Sequence, residues 1–224
     1  MKLRFIFNYF GTWIDAAMDI IYFSDLLGTM VFAISGAMAA NRRGIDVFGV
    51  TFIGFVTAIG GGSIRDVFLN IRPVWVEDGN YLIAIFIGVF ISIVGNRQLY
   101  NWAKTLTLFD AIGIGFFTVV GTQKSLDYGS SSIAAIMLGM FSASMGGVIR
   151  DTLMNETPLI LRKEIYASAC LSGALLFVIL NHLGINDGIN AFCSASLVFL
   201  IRIIAVRFNL SLPAVATPPP KQKD

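Results

Sequence analysis

Two short stretches carry the residues of this chain that could do chemistry. They read IGGGSIRDVFLNIRP over 59–73 and SMGGVIRDTLMNETP over 144–158, and equivalent positions are 85 residues apart. The polar and glycine residues concerned are Gly60, Gly61, Gly62, Ser63, Arg65, Asp66 and Asn70 in the first stretch, and Gly146, Gly147, Arg150, Asp151 and Asn155 in the second. Charged side chains inside apolar segments usually line a path for ions or polar solutes. The chemistry expected here is therefore passage across a membrane.

The composition places these stretches in a membrane protein. Hydrophobic residues make up 56% of the chain and charged residues 13%, against about 25% charged in soluble domains. Seven apolar segments, each close to the roughly 20 residues that a span needs, are predicted at about 20–40, 46–67, 79–96, 106–124, 130–152, 164–182 and 187–206. The fold class expected is an all-α integral membrane protein with seven transmembrane helices.

An internal repeat organises most of the chain. Aligning residues 25–96 with 110–181 gives 18 identities in 72 pairs, and these include matched Asp, Arg, Asn and Pro residues. Each copy contains three predicted spans, so the second copy must enter the bilayer from the opposite side. The sequence thus predicts an inverted 3+3 repeat plus a seventh helix. The expected divisions are an N-terminal segment 1–19, repeat one 20–97, repeat two 105–182, span seven 187–206 and a disordered tail 211–224.

The distribution of basic residues predicts the orientation. Five Lys and Arg residues fall on the side of the N-terminus and eleven on the other side. Because cytoplasmic loops carry the excess of Lys and Arg, the N-terminus is expected outside and the C-terminus in the cytoplasm. The protein is expected to be a multi-pass protein of the inner (plasma) membrane.

Two further aspartates join the candidate site. Asp25 begins the first predicted span and Asp110 the fourth, so each should share a membrane half with the Arg–Asp pair of its own repeat. We expect Asp25 to approach Arg65 and Asp110 to approach Arg150, because buried charges normally pair or face water.

Within each pair the expectations are more specific. Adjacent residues do not share a helix face, so Arg65–Asp66 is not expected to be a self-contained ion pair, whereas Asp66 and Asn70 should share a face, as should Asp151 and Asn155. The alternative is that these charges lie among the lipid headgroups and simply end a helix.

The glycine clusters favour a local unwinding or kink of spans two and five. Three consecutive glycines, Gly60 to Gly62, destabilise a helix, and exposed carbonyl groups at depth would make cation ligands. The alternative is that the glycines only let helices approach closely.

Several other classes of function are not indicated. The chain has no nucleophile–base constellation, no metal-ligand spacing and no nucleotide-binding glycine loop. It has no basic run interleaved with aromatics that would suggest nucleic acid. We therefore expect a non-enzyme with no cofactor, no metal and no nucleic-acid partner.

The paired motifs GGGSIRD and MGGVIRD, with seven predicted spans in an inverted repeat, resemble the prokaryotic trimeric intracellular cation (TRIC) channel family. The resemblance covers about residues 20–206. It implies a homotrimer in which each subunit has its own pore for monovalent cations, chiefly potassium, lined by the glycine-bearing spans. The second motif has Met145 where the first has Gly60, and the basic cluster of the animal channels has no counterpart beyond Lys124. Related bacterial proteins with this motif are often labelled glycine transporters.

Three functions remain open at this point. The first is a potassium or other monovalent cation channel with membrane lipids as surroundings. The second is a secondary transporter of a small solute such as glycine, since inverted repeats with interrupted helices are common in transporters. The third is a structural protein without a pathway.

Overall fold

The computed structural model describes the backbone of residues 2–95 and 102–213 and the side chains of 21–95 and 105–213. Within these ranges the chain forms eight α-helices and a short 3₁₀ turn, Leu159–Leu161. The helices are α1 Lys2–Asn41, α2 Val47–Phe68, α3 Val74–Glu77, α4 Asn80–Gly95, α5 Trp102–Asp127, α6 Ser132–Leu153, α7 Ala167–His182 and α8 Asp187–Arg207.

Five helical segments are long and apolar enough to cross a membrane: Ile21–Asn41, α2, Thr105–Asp127, α6 and α8. Many large apolar side chains are exposed on the outside of the bundle, among them Phe48, Ile133 and Phe192, as expected for helices that face lipid. The all-helical membrane fold is therefore confirmed. Helices α4 and α7 are apolar but have 16 residues each, which is short for a span, so their crossing stays a prediction.

The predicted N-terminal segment is helical, and the predicted C-terminal tail begins with a β-bridge. Helix α1 begins at Lys2, so the N-terminal segment continues directly into the first predicted span. Disorder does not begin at Ser211, because Ser211 forms an antiparallel β-bridge with Glu164 and the N–H of Leu212 donates to the carbonyl oxygen of Lys163 at 2.9 Å. The rest of the predicted tail, 214–224, lies outside the described residues.

The helix termini repeat at the spacing seen in the sequence. Asp46 caps the start of α2 by accepting from the N–H of Gly49, and Ser131 caps α6 by accepting from the N–H of Ala134. Such side-chain caps satisfy backbone donors that the first helical turn leaves free. These four residues form two pairs with the 85-residue spacing, so local sequence sets the same helix boundaries twice.

The helices pack as two related groups joined at the centre. Helix α1 packs on α2 and α4, and α5 packs on α6 and α7, while α1–α5 and α2–α6 contacts join the groups. Helix α8 lies outside this scheme and packs mainly on α5 and α7. The main hydrophobic core contains residues from both groups, including Phe32, Ile114 and Phe117. Anything held between α1, α2, α5 and α6 therefore lies deep inside the bundle.

Candidate ion pathway

Both glycine clusters lie inside continuous helices. Helix α2 runs unbroken through Gly60, Gly61 and Gly62, and α6 runs unbroken through Gly146 and Gly147. The expected unwinding is therefore wrong, and with it the expected row of free carbonyl ligands, while a kink of either helix stays a prediction. The intrinsic cost of glycine in a helix is modest, so tertiary packing can hold the helix together across such a cluster.

Close approach of α2 and α6 explains the two glycines at the crossing. A Cβ added to Gly61 would collide with the carbonyl oxygen of Ser142, and one added to Gly146 would collide with that of Thr57. The small side chains let two helix backbones touch. The close-packing alternative for these positions is confirmed.

These contacts also relate the two repeats. The pairs Gly61–Ser142 and Gly146–Thr57 exchange when 85 is added to or subtracted from each number. Along the crossing, the position on α2 rises from 57 to 61 while the position on α6 falls from 146 to 142. The two helices are therefore antiparallel where they touch.

The second charge cluster comprises Asp110, Arg150, Asp151 and Tyr166, and all four side chains are buried. The guanidinium of Arg150 donates to Oδ1 of Asp110 at 2.9 Å, to Oδ1 of Asp151 at 2.8 Å and to Oγ of Ser35 at 2.6 Å. Arg150 thus joins α6, α5 and α1. The predicted approach of Asp110 to Arg150 is confirmed, and this guanidinium is inside the protein rather than among headgroups.

The first charge cluster comprises Asp25, Arg65, Asp66, Tyr81 and Lys124. The ammonium of Lys124 lies 3.0 Å from Oδ1 of Asp66, and Tyr81 donates its hydroxyl proton to Oδ2 of Asp25 at 3.0 Å. Asp25 and Arg65 line the same small cavity, but no ion pair joins them among the described side chains. Asp25 and Arg65 therefore lie close together, as expected, but the hydrogen-bond partner of Asp25 is Tyr81.

Adjacent Arg and Asp side chains do pair, contrary to expectation. Arg65 lies 2.8 Å from Asp66, as Arg150 does from Asp151. In both cases the other carboxylate oxygen accepts from a backbone N–H eight residues later, that of Val74 or Leu159. Because each aspartate is turned toward the segment after the helix, the long arginine side chain can reach around to it.

Asn70 and Asn155 lie outside the helices and are exposed. They adopt left-handed backbone conformations, with φ of 56° and 54°. The N–H of Asn70 donates to the carbonyl of Val67, and that of Ile71 donates to that of Asp66, which is the hydrogen-bond pattern of a Schellman C-cap. The expected shared face with Asp66 and Asp151 is therefore wrong, because the helix has ended before the asparagine.

Ser63 is engaged by an indole. Trp75 donates its Nε1–H to Oγ of Ser63 at 3.0 Å, and its ring packs edge-on against Phe55. Ser63 lines the first-cluster cavity together with Trp75. The hydroxyl oxygen faces the candidate pathway but is already an acceptor.

A buried arginine of α8 was missed from the sequence. Arg202 is 1% exposed, lies 2.6 Å from Oε2 of Glu164 and stacks over the ring of Tyr166 at 5.1 Å. It is one of the eleven basic residues that the sequence predicts on the cytoplasmic side. The available signal was an arginine five residues before the end of an apolar helix, together with the tyrosine matched between repeats, Tyr81 and Tyr166.

The two clusters open into cavities of different size. The second-cluster cavity has a volume of about 330 Å³ and is lined by charged residues that include Asp110, Arg150, Asp151 and Arg202. The first-cluster cavity has about 20 Å³, close to the minimum for a single water molecule. The second-cluster cavity is therefore much the larger of these two, and the first-cluster cavity is nearly closed.

A polar network lies beyond the first cluster. Tyr22 donates to Oδ2 of Asp78 at 2.7 Å, and the N–H of Asn80 donates to Oδ1 at 2.9 Å. The hydrogen bond from the Asn80 backbone, followed by that from Tyr22, holds the pKa of Asp78 below its usual range. Asp78 therefore stays charged at neutral pH, just before the start of α4.

Comparison with known proteins gives one family model and several relatives. A model described as Glycine transporter matches the chain twice, over residues 22–97 and 107–182. The starting points of the two matches are 85 residues apart, like the motifs.

Individual relatives and a solved structure agree with this match. A UPF0126 membrane protein of Vibrio cholerae is 39% identical over 206 residues, which are 90% of this chain and 86% of the relative. The UPF0126 inner membrane protein YadS of Escherichia coli strain K12 is 37% identical over 88% of this chain and 97% of its own length. The crystal structure of the TRIC trimeric intracellular cation channel orthologue from Rhodobacter sphaeroides superposes with a TM-score of 0.81 at 34% identity, covering 85% of this chain and 99% of the orthologue.

Proposed function

Since this chain belongs to the family that the glycine-transporter model describes, and shares sequence and fold with a TRIC channel orthologue, we propose that it is a channel for monovalent cations, chiefly potassium. Each subunit of a homotrimer contains its own pore. The pathway runs between α1, α2, α5 and α6 through both charge clusters. The lipid bilayer surrounds the apolar exterior, with the N-terminus outside and the C-terminus in the cytoplasm.

We further propose that residues 20–97 and 105–182 are inverted copies and that 187–206 form the seventh span. The exchange of Gly61–Ser142 with Gly146–Thr57 supports this proposal, because an inverted pair is related by a two-fold axis in the membrane plane. The double match of one family model supports it as well.

The observation that carries the cation-channel proposal is the second charge cluster with its cavity. Asp110 and Asp151 are two buried carboxylates in direct contact with one guanidinium, Arg150, while the wider cavity around them is lined by five basic and four acidic side chains. Carboxylates placed along a path attract cations. Oδ2 of Asp110 is also without a hydrogen-bond partner among the described residues, which leaves it able to contact a passing cation.

The test is current through purified protein in planar bilayers under a KCl gradient. We expect a reversal potential between zero and the equilibrium potential of potassium. We also expect a lower potassium current for Asp110→Asn, because this change leaves Arg150 with one carboxylate fewer. Glu77→Gln is the matched control, because Glu77 is an exposed residue of α3 and its change removes the same charge. A reversal potential between zero and the equilibrium potential of chloride, or no current from the wild-type protein, would contradict a cation channel.

A second candidate is a secondary transporter of a small zwitterion such as glycine. Near the second-cluster cavity, Arg150 Nη2, Arg202 Nε and Tyr166 OH are buried without hydrogen-bond partners among the described residues. Two guanidinium N–H groups suit a carboxylate, and Oδ2 of Asp110 suits an ammonium. Saturable uptake of labelled glycine into proteoliposomes, with competition by analogues, is the expected result for a transporter. Uptake that stays linear with glycine concentration would exclude this candidate.

A further inference from the structure

Two phenylalanines stack on each other at the centre of the bundle. The rings of Phe32 on α1 and Phe117 on α5 have centroids 5.1 Å apart and an interplanar angle of 24°. Both side chains are buried, at 1% and 3% exposure. They occupy equivalent positions of the two repeats, 85 residues apart.

Glycines of the opposite repeat make room for the rings. A Cβ added to Gly113 would collide with the ring of Phe32, and one added to Gly28 would lie 3.4 Å from the ring of Phe117. Gly28 and Gly113 are themselves equivalent positions. Each ring therefore packs where the facing helix has no side chain.

The stack lies between the two charge clusters. Phe117 lines the first-cluster cavity together with Asp25 and Arg65. On the other side, the ring of Phe32 would contact a Cβ placed on Gly146 at 3.2 Å, one helical turn before Arg150. Each phenylalanine is also seven residues, or two turns, beyond the aspartate of its own helix, and α1 and α5 are antiparallel where Gly28 meets Phe117 and Gly113 meets Phe32.

We propose that Phe32 and Phe117 form the hydrophobic gate of the pathway. This inference rests on the proposed cation channel. A constriction with apolar walls excludes water and so blocks hydrated ions without any charged barrier. Stacked rings between the 20 Å³ first-cluster cavity and the second cluster make such a constriction, and separation of the rings opens it.

The experiment compares single-channel currents of purified variants in planar bilayers with symmetrical KCl. Phe117→Asn and Phe117→Leu have side chains of similar size, so they separate polarity from volume. We expect Phe117→Asn to raise the open probability severalfold, because a polar side chain wets the constriction, and Phe117→Leu to stay close to wild type. Phe32→Asn and Phe32→Leu should behave in the same way.

Phe177→Asn is the matched control. Phe177 is a buried phenylalanine, 1% exposed, in a separate core cluster with Val119 and Ala191. A comparable rise of open probability in Phe177→Asn, or equal currents in wild type, Phe117→Asn and Phe117→Leu, would overturn the gate. Should Phe117→Asn fail to form monodisperse protein, the pair Phe32→Asn and Phe32→Leu decides by the same criterion. A wild-type protein that carries no cation current would instead overturn the proposed function.

Discussion

Equivalent residues of the two charge clusters have different partners. Asp25 accepts from the hydroxyl of Tyr81, whereas Asp110 pairs with Arg150 and the hydroxyl of Tyr166 is without a partner in the described chain. Neighbouring residues account for part of the difference. Ser35 supports Arg150 and Lys124 supports Asp66, while the equivalent positions hold Val120 and Ala39.

This asymmetry predicts opposite sensitivity to loss of a hydroxyl group. Tyr81→Phe removes a buried hydrogen bond to Asp25 and should lower the free energy of unfolding by about 1.5–3 kcal/mol. Tyr166→Phe removes a hydroxyl that makes no such bond and should change it little. Thermal unfolding of the two variants in the same detergent measures the difference. Equal destabilisation would show that the hydroxyl of Tyr166 also has a buried partner.

Neighbouring glycines of one cluster should respond differently to an added methyl group. Gly61→Ala forces the Cβ into the carbonyl oxygen of Ser142, and overpacking of this kind typically costs about 1–3 kcal/mol. Gly62→Ala meets its nearest neighbour, Nη2 of Arg65, at an ordinary 3.7 Å. The helix propensity of alanine then favours this variant by about 0.5–1 kcal/mol.

Unfolding temperatures of the two glycine variants should therefore move in opposite directions from the wild-type value. Two equal decreases would mean that the α2–α6 crossing does not depend on Gly61.

The predicted topology correctly paired distant charged residues, whereas the rule for adjacent residues on a helix did not predict their contacts. The pairing of Asp110 with Arg150 followed from where each begins or ends its span. The rule that adjacent residues face apart failed for Arg65–Asp66, because the helix ends there and the carboxylate caps the next segment. Arg202 was missed because its burial depends on Glu164 and Tyr166, which no spacing within α8 reveals.

At the scale of single helices, the ends were easier to predict than the middle. The polar caps Asp46 and Ser131 and the glycines after α1 and α5 mark boundaries that the sequence placed within a few residues. The expected unwinding of α2 and α6 was wrong. In the sequence, a glycine cluster that unwinds a helix looks the same as one that lets a second helix pack closely. Only the partner helix decides between the two.

The left-handed residue after α6 gives a prediction about helix termination. Asn155→Gly should leave stability nearly unchanged, because glycine adopts a φ of 54° without strain. Asn155→Ala should lower the free energy of unfolding by roughly 1–2 kcal/mol, the usual cost of a left-handed conformation for a residue with a Cβ. Asn155 is exposed, so lost packing does not confuse the comparison. Equal unfolding temperatures of the two variants in the same detergent would argue against a strained cap.

At the scale of the whole molecule, composition and the repeat sufficed to predict an all-helical membrane bundle that contains buried charges. They did not predict that α8 would insert Arg202 beside the second cluster, or that the cavities at the two clusters would differ in volume. Arg202 belongs to an element without a counterpart in the duplicated part of the chain.

The proposed assembly predicts a particular mass. Multi-angle light scattering of the purified protein, corrected for bound detergent, should give three copies of the 24.4 kDa chain. The exposed apolar groove between α5 and α8, which includes Phe116, Phe192 and Phe199, should be labelled by lipid-soluble reagents if it faces the bilayer in the trimer. A mass of one or two chains would contradict the proposed homotrimer.

The reciprocal glycine contacts between α2 and α6 have a consequence for the ancestry of the chain. Gly61 contacts Ser142 as Gly146 contacts Thr57. Each half therefore supplies both a glycine without a side chain and a backbone carbonyl that packs against the glycine of the other half. On the proposed inverted topology, a progenitor of three helices that inserted in both directions would already have packed against a second copy of itself. Fusion of two such genes would then have required a linking segment rather than a new interface, after which each half was free to diverge.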